Sequence, residues 1–183
     1  MAILPVTVYG DKILRNKTKP VDAVNEAIVE NIKDMFDTMR NANGIGLAAN
    51  QVGIDKSIFI VDLRPVEGYE DSKPMVFINP EIVTKSEESV ILEEGCLSLP
   101  NLRADVERPE IIEIKYLDTD EKEHILEADE WMARVIQHEY DHLIGKLIPD
   151  RVNSEIRNGL SEELNNIRDR NIEIDYLITE KEE

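Results

Sequence analysis

The chain has 183 residues, 42% of them hydrophobic and 33% charged, a balance that suits one folded core and excludes a disordered or bilayer-embedded protein. A formal net charge of −18 excludes a broad nucleic-acid footprint, since phosphate backbones would be repelled over most of the surface, and no DNA partner is expected. No apolar run approaches the roughly 20 residues needed to span a bilayer, so no membrane partner is expected, and the only cysteine, Cys96, rules out an intrachain disulfide.

The opening MAILPVTVYGDK carries no basic segment followed by a long apolar one, so a cytoplasmic location is expected. From Val21 to Asn43 the apolar residues Ile28, Ile32, Met35, Phe36 and Met39 recur at helical spacing, with Gly44 placed as a left-handed cap. GIGLAANQVG (44–53) reads as a glycine-rich loop in which backbone can approach backbone or ligand closely. Five stretches rich in β-branched and aromatic residues follow, at 57–63, 75–80, 89–94, 110–117 and 123–128. Pro74, Pro80, Pro100 and residues 118–120 mark turns between them, and the lack of helix-length connectors predicts antiparallel pairing.

A second helix is predicted from Asp129, with Trp131, Val135, His138 and His142 on one face and Trp131 anchoring it in the core. Residues 153–170 read as a further helix interrupted at Gly159, whereas NIEIDYLI (171–178) fits a last strand or a loose end equally well. His124 lies in a predicted strand, far in sequence from the paired histidines, and is read as structural.

QHEYDHL (137–143) carries the chemistry. Positions i and i+4 of a helix lie one above the other, so His138 and His142 can present ring nitrogens to a single ion. Glu139 is about 100° around the helix from His138, near enough to reach a water without having to ligate. A catalytic site of this kind needs a third protein ligand. Glu155, Glu162 or Glu163 downstream would make an endopeptidase; Cys96 in EEGCLSLP, with Gly95 freeing the backbone, would supply a thiolate. The donor types alone suit iron, zinc and nickel alike.

GIGLAANQ (44–51), EGCLS (94–98) and HEYDH (138–142), in this order, closely resemble the three signature motifs of peptide deformylases, GxGxAAxQ, EGCxS and HExDH. The likeness extends over about residues 3–152. The order of elements, a helix, a strand-rich middle and then helices, itself reads as an α+β fold, mostly antiparallel strands around a central metal-binding helix with an N-terminal and a C-terminal helix. One catalytic domain is expected over 1–183, with the structure of the tail 169–183 undecided.

The resemblance implies that Cys96, His138 and His142 hold one divalent ion, Fe(II) by preference, with Zn or Ni in some preparations. It implies removal of the formyl group from N-formylmethionyl nascent peptides, with a water activated by the ion as nucleophile, Glu139 as general base and acid, and the Gln51 side-chain amide and Leu97 N–H as oxyanion donors. Ile45 and Gly46 would offer backbone to the peptide, Gly95 would permit a close approach, and Val135, Leu97 and Ile45 would line a methionine pocket. Glu94 and Asp141 would orient the site or pair with Arg103 or Arg108, Arg103 being as well read as a solvated charge beside the peptide path. Any contact with the ribosome is expected to be weak, transient and salt-sensitive on so acidic a surface.

Overall fold

A computed structural model of the chain describes residues 2–181 and gives an α+β fold. A 3-10 turn at Lys12–Arg15 precedes α1 (Glu26–Asn41), β1 (Gly46–Ala48), a second 3-10 turn at Ala49–Val52, and β2 (Ile58–Val61). Next come β3 (Met75–Lys85), β4 (Ser89–Cys96), β5 (Leu99–Pro109), β6 (Ile112–Leu117) and β7 (Glu123–Ala128). The chain then enters α2 (Glu130–Leu143) and ends in the short helices α3 (Ser154–Gly159) and α4 (Ser161–Arg168), so the predicted C-terminal helix is two helices parted after Gly159. The named strands pair only antiparallel: β1-β2-β3-β6-β7 make one sheet, and β4-β5 a separate hairpin.

β2 shows why the core lies where it does. All four of its residues are buried, because both faces of the sheet are covered. Phe59 and Val61 pack with Phe77, Ile112 and Ile114 against Ala133, Val135, Ile136 and Leu143 of α2. Ile58 and Ile60 pack with Ile78 on the other side against Ile28, Ile32, Met35 and Met39 of α1. The hairpin has its own apolar seam, where Leu99, Leu102, Ala104 and Val106 of β5 meet Leu164 and Ile167 of α4.

Several predicted boundaries move, each for a local reason. Residues 21–25 are not helical, since the Asn79 side-chain amide pairs with both the N–H and the carbonyl of Val21 at 2.8 Å and holds that residue extended. The helix begins instead behind Asn25, whose Oδ1 accepts from the Ile28 N–H at 3.0 Å. At the other end the left-handed residue is Asn43 (φ 55), not Gly44. Bonds from Gly44 N–H to the Met39 carbonyl and from Asn43 N–H to that of Arg40 close the helix in a Schellman arrangement. The segment 44–53 is not all loop, because Gly46–Ala48 pair with Val61–Phe59 as an edge strand.

β5 was hidden by Pro100, and β3 runs past Pro80. Both prolines sit where a ladder donor is not needed, Pro100 beside the hairpin turn and Pro80 at the register shift between Ile78 and Glu81. The strand predicted at 110–117 begins at Ile112. Residues 171–178 form neither a full strand nor a loose end. They run back along the body as a strap, touching it through a parallel bridge between Val6 and Ile178. Glu182 and Glu183, the end of the undecided tail, lie outside the described residues.

Candidate metal centre

Three elements bring the donors together. β4 ends at Cys96, α2 carries His138 and His142, and the 3-10 turn after β1 carries Gln51. Cys96 Sγ lies 3.2 Å from His142 Nε2, which is 3.3 Å from His138 Nε2, and one donor atom from each of the three falls within 4.8 Å of the others. Among the described residues this is the only such grouping of His, Cys, Asp and Glu. Glu155, Glu162 and Glu163 are exposed on α3 and α4 and stay outside it, so the endopeptidase arrangement with a downstream glutamate is overturned. One thiolate and two imidazoles suit a divalent transition ion, and the half-buried cysteine with its two ring nitrogens fits such a group.

The imidazoles are oriented from behind. Glu94 Oε2 lies 3.0 Å from His138 Nδ1, and a carboxylate only accepts, so that nitrogen carries a proton and Nε2 is the atom that can ligate, giving up any proton of its own as an ion binds. Glu94 in turn accepts two bonds from Arg108, at 2.6 and 2.9 Å, and one from Arg134 Nη1 at 2.9 Å. Arg108 reaches on to Asp141 at 2.8 Å, and Arg151 clasps the same carboxylate. Arg134 also donates to the carbonyls of Val106 and Val90, so a helix side chain tethers α2 to the hairpin. Burial alone would raise the Glu94 carboxyl, but Arg108 and then His138 outweigh it and hold it well below the carboxylate range.

Burial also lowers His138, yet the facing Cys96 sulfur and Glu94 carboxylate override that and hold it well above its ordinary value. His142 is pushed well below its ordinary value by burial, then by His138 and Arg108. Its backbone carbonyl accepts from Asn50 Nδ2 at 2.7 Å, which pins the end of α2 to the turn that carries Gln51.

Glu139 is 4% exposed, and its Oε2 has no hydrogen-bond partner. Its carboxyl is pushed up to about 7, chiefly by burial. A carboxyl in that state is short of a partner and suited to exchange a proton with whatever enters. β1 makes room for it: a Cβ on Gly46 would fall 2.5 Å from Glu139 Oε1 and 2.8 Å from Val135 Cγ1, so only glycine lets the strand edge lie against the glutamate. The Gln51 amide is fixed by the Ala48 N–H, which donates to its Oε1 at 2.8 Å. Its Nε2 is thereby aimed at Ser98 Oγ (3.1 Å) and Cys96 Sγ (3.6 Å).

A cleft of about 680 Å³ opens over these groups, and Ile45, Gly46, Gly95, Leu97, Arg103 and Val135 all line it. Arg103 stands at its mouth, two-thirds exposed and 3.9 Å from Glu93. The arginine paired with Glu94 and Asp141 is therefore Arg108, and Arg103 is the solvated one. Trp131 corrects an expectation too: it is 40% exposed and lines the cleft rather than anchoring α2 in the core. His124 is tied to Asp118 at 2.6 Å and stacks on Tyr116, away from the cleft.

Two groups of cleft or support residues escaped the sequence. Arg134 and Arg151 had no local signal. Tyr176, which also lines the cleft, had one: in 171–178 every second residue is half-buried, so the alternation Ile172, Ile174, Tyr176, Ile178 marks an inward face.

A family profile described as polypeptide deformylase matches residues 3–158. A peptide deformylase of Salinibacter ruber is 46% identical over 188 residues, covering 99% of this chain and 96% of that one. One of Prosthecochloris aestuarii is 43% identical over 178 residues, covering 97% and 95%. Among solved structures, a plant peptide deformylase superposes with a TM-score of 0.87 at 34% identity, covering 93% of this chain and 92% of its own. The peptide deformylase of Ehrlichia chaffeensis gives 0.83 at 35%, covering 93% and 99%.

Proposed function

The chain belongs to the polypeptide deformylase family and is an enzyme of that kind, whose members remove the N-formyl group from nascent peptides. On that premise we propose the residues that do the work here. Cys96, His138 and His142 hold one divalent ion, Fe(II) by preference with Zn or Ni able to replace it, within a single catalytic domain spanning 1–183. Such an ion supplies Lewis-acid chemistry, lowering the pKa of a water and polarising a carbonyl. Glu139 accepts the attacking water's proton at Oε2 and returns a proton to the leaving amine nitrogen, so formate and a free N-terminus result.

Gln51 Nε2 and the Leu97 N–H donate to the oxygen on which charge develops; both are neutral donors, and the Gln51 amide is set in place before the substrate arrives. The open edge of β1, at Ile45 and Gly46, takes the peptide in extended form, with Gly95 and Arg103 along its path. Val135, Leu97 and Ile45 receive the methionine side chain. The protein acts in the cytoplasm on N-formylmethionyl chains as they emerge, touching the ribosome only weakly; no DNA and no membrane take part. No helix among the described residues is long and apolar enough to cross a bilayer.

The observation that carries this reading is the meeting of the three donors beside a buried glutamate whose Oε2 has no partner. Protein loaded anaerobically with Fe(II) should release formate from formyl-Met-Ala. Glu139→Ala should retain one ion per chain while losing at least about 10²-fold in kcat, the usual worth of a general base. Turnover retained in that variant contradicts the mechanism.

A further inference from the structure

The turn between β4 and β5 is two residues long. Cys96 pairs with Leu99 across it, and Leu97 and Ser98 form its tip. The peptide group in the middle of such a turn, between Leu97 and Ser98, has no partner within the turn. Its carbonyl, that of Leu97, therefore needs a donor from elsewhere.

That donor is Tyr176, whose hydroxyl lies 2.7 Å from the Leu97 carbonyl oxygen. The tyrosine belongs to the strap, beyond residue 158 where the family profile ends. The strap is not loosely laid. Leu177 O accepts from Val6 N–H at 2.9 Å, and Thr179 N–H donates to Val6 O at 3.0 Å. Buried Asp11 clamps its two ends, accepting from Thr179 Oγ1 at 2.6 Å and from Arg170 Nη2 at 2.5 Å.

We propose that Tyr176 is a positioning residue for deformylation: by holding the Leu97 carbonyl, the strap restrains the backbone of Leu97 and with it the neighbouring peptide group, whose N–H, that of Leu97, is the one given to the developing oxyanion. The inference rests on the role given to that N–H above. It follows from the hydrogen bond, the two-residue turn and the double anchoring of the strap. A donor to an oxyanion contributes only when it is held in place before the reaction; the Tyr9 N–H at the Ser98 carbonyl and Gln51 at Ser98 Oγ hold one side of the turn, and Tyr176 holds Leu97 itself through its carbonyl. The strap thus takes part in the chemistry without touching the substrate's reacting atoms.

Tyr176→Phe removes the hydroxyl and keeps the ring. In the Fe(II)-loaded full-length protein, kcat for formyl-Met-Ala is expected to fall about three- to tenfold, the scale of one hydrogen bond felt in the transition state, with KM and metal content unchanged. Amide hydrogen exchange, read by mass spectrometry, is expected to quicken in the segment 96–99 and stay as it was in α2. An unchanged kcat, a rise in KM alone, loss of the ion, or unaltered exchange at 96–99 would each overturn the proposal. The unmodified protein run alongside separates the two claims: if it releases no formate, the deformylase reading fails; if it does while the variant matches it, only the part given to Tyr176 fails.

Discussion

Glu94 organises the site through the residues around it. It is a buried carboxylate that fixes the proton of His138 on Nδ1 while neutralising Arg108 and Arg134. Buried ion pairs of this kind contribute little net stability while complete, but removing one partner leaves the others charged in a poor solvent. Glu94→Gln leaves two buried guanidiniums short of countercharge. It is therefore expected to cost about 3–5 kcal/mol in denaturant unfolding, and to weaken metal binding about 10- to 100-fold through the loosened His138 ring. Unfolding curves and a metal titration check both. Unchanged affinity for the ion would mean that the imidazole is held by packing rather than by the carboxylate. Glu94 itself could be named from the sequence, because it stands two positions before Cys96. Its partner could not be fixed, since Arg103 and Arg108 both lie on the next strand and only the register decides which of them faces inward. Alternation settles it: Arg108 is buried with Ala104 and Val106, and Arg103 points out with Asp105 and Glu107.

At the scale of elements, the legible parts are those whose periodicity is set by one face. α1 showed its stripe, and β7 its bounds, because each buries a single side, whereas α2 is buried nearly all round and was legible through the spacing of His138 and His142. β5 has a clean alternation as well, yet a proline beside its turn disguised it as a break. Helix ends depended on distant partners: nothing near Val21 announces that the amide of Asn79 will hold it extended. The join between α1 and the sheet offers a test. Buried Asp62, just past β2, accepts from Arg64 and from Arg40 in the last turn of α1; Arg64, opposing the effect of burial, draws its carboxyl below the usual range. A depressed folded pKa contributes stability that is present above the unfolded value of about 3.9 and is lost as the pH falls through the folded value. Asp62→Asn is expected to destabilise by about 1 kcal/mol at pH 7, because both arginine partners are half exposed and solvent-screened. The difference should shrink towards zero in urea titrations below pH 4, and a difference that persists there would point to packing instead of charge.

For the whole molecule, the sheet clamped between α1 and α2 fixes one wall of the cleft, and the hairpin on α4 and the strap fixes the other. The groups at the centre were readable because short segments carry them whole: GIGLAANQ, EGCLS and HEYDH each place their side chains by local geometry. What joins the walls was not readable. The links from Arg134 to the hairpin, Asp11 to the strap and Tyr176 to Leu97 span 28 to 168 residues, and no local pattern encodes such distances. The trust placed in the centre comes down to one sulfur and two ring nitrogens sharing an ion. X-ray absorption at the metal edge of anaerobically prepared protein reads that set directly. One sulfur and two imidazole nitrogens are expected around a single ion per chain, with the sulfur signal gone in Cys96→Ser; a shell of nitrogen and oxygen alone in the unmodified protein would contradict it.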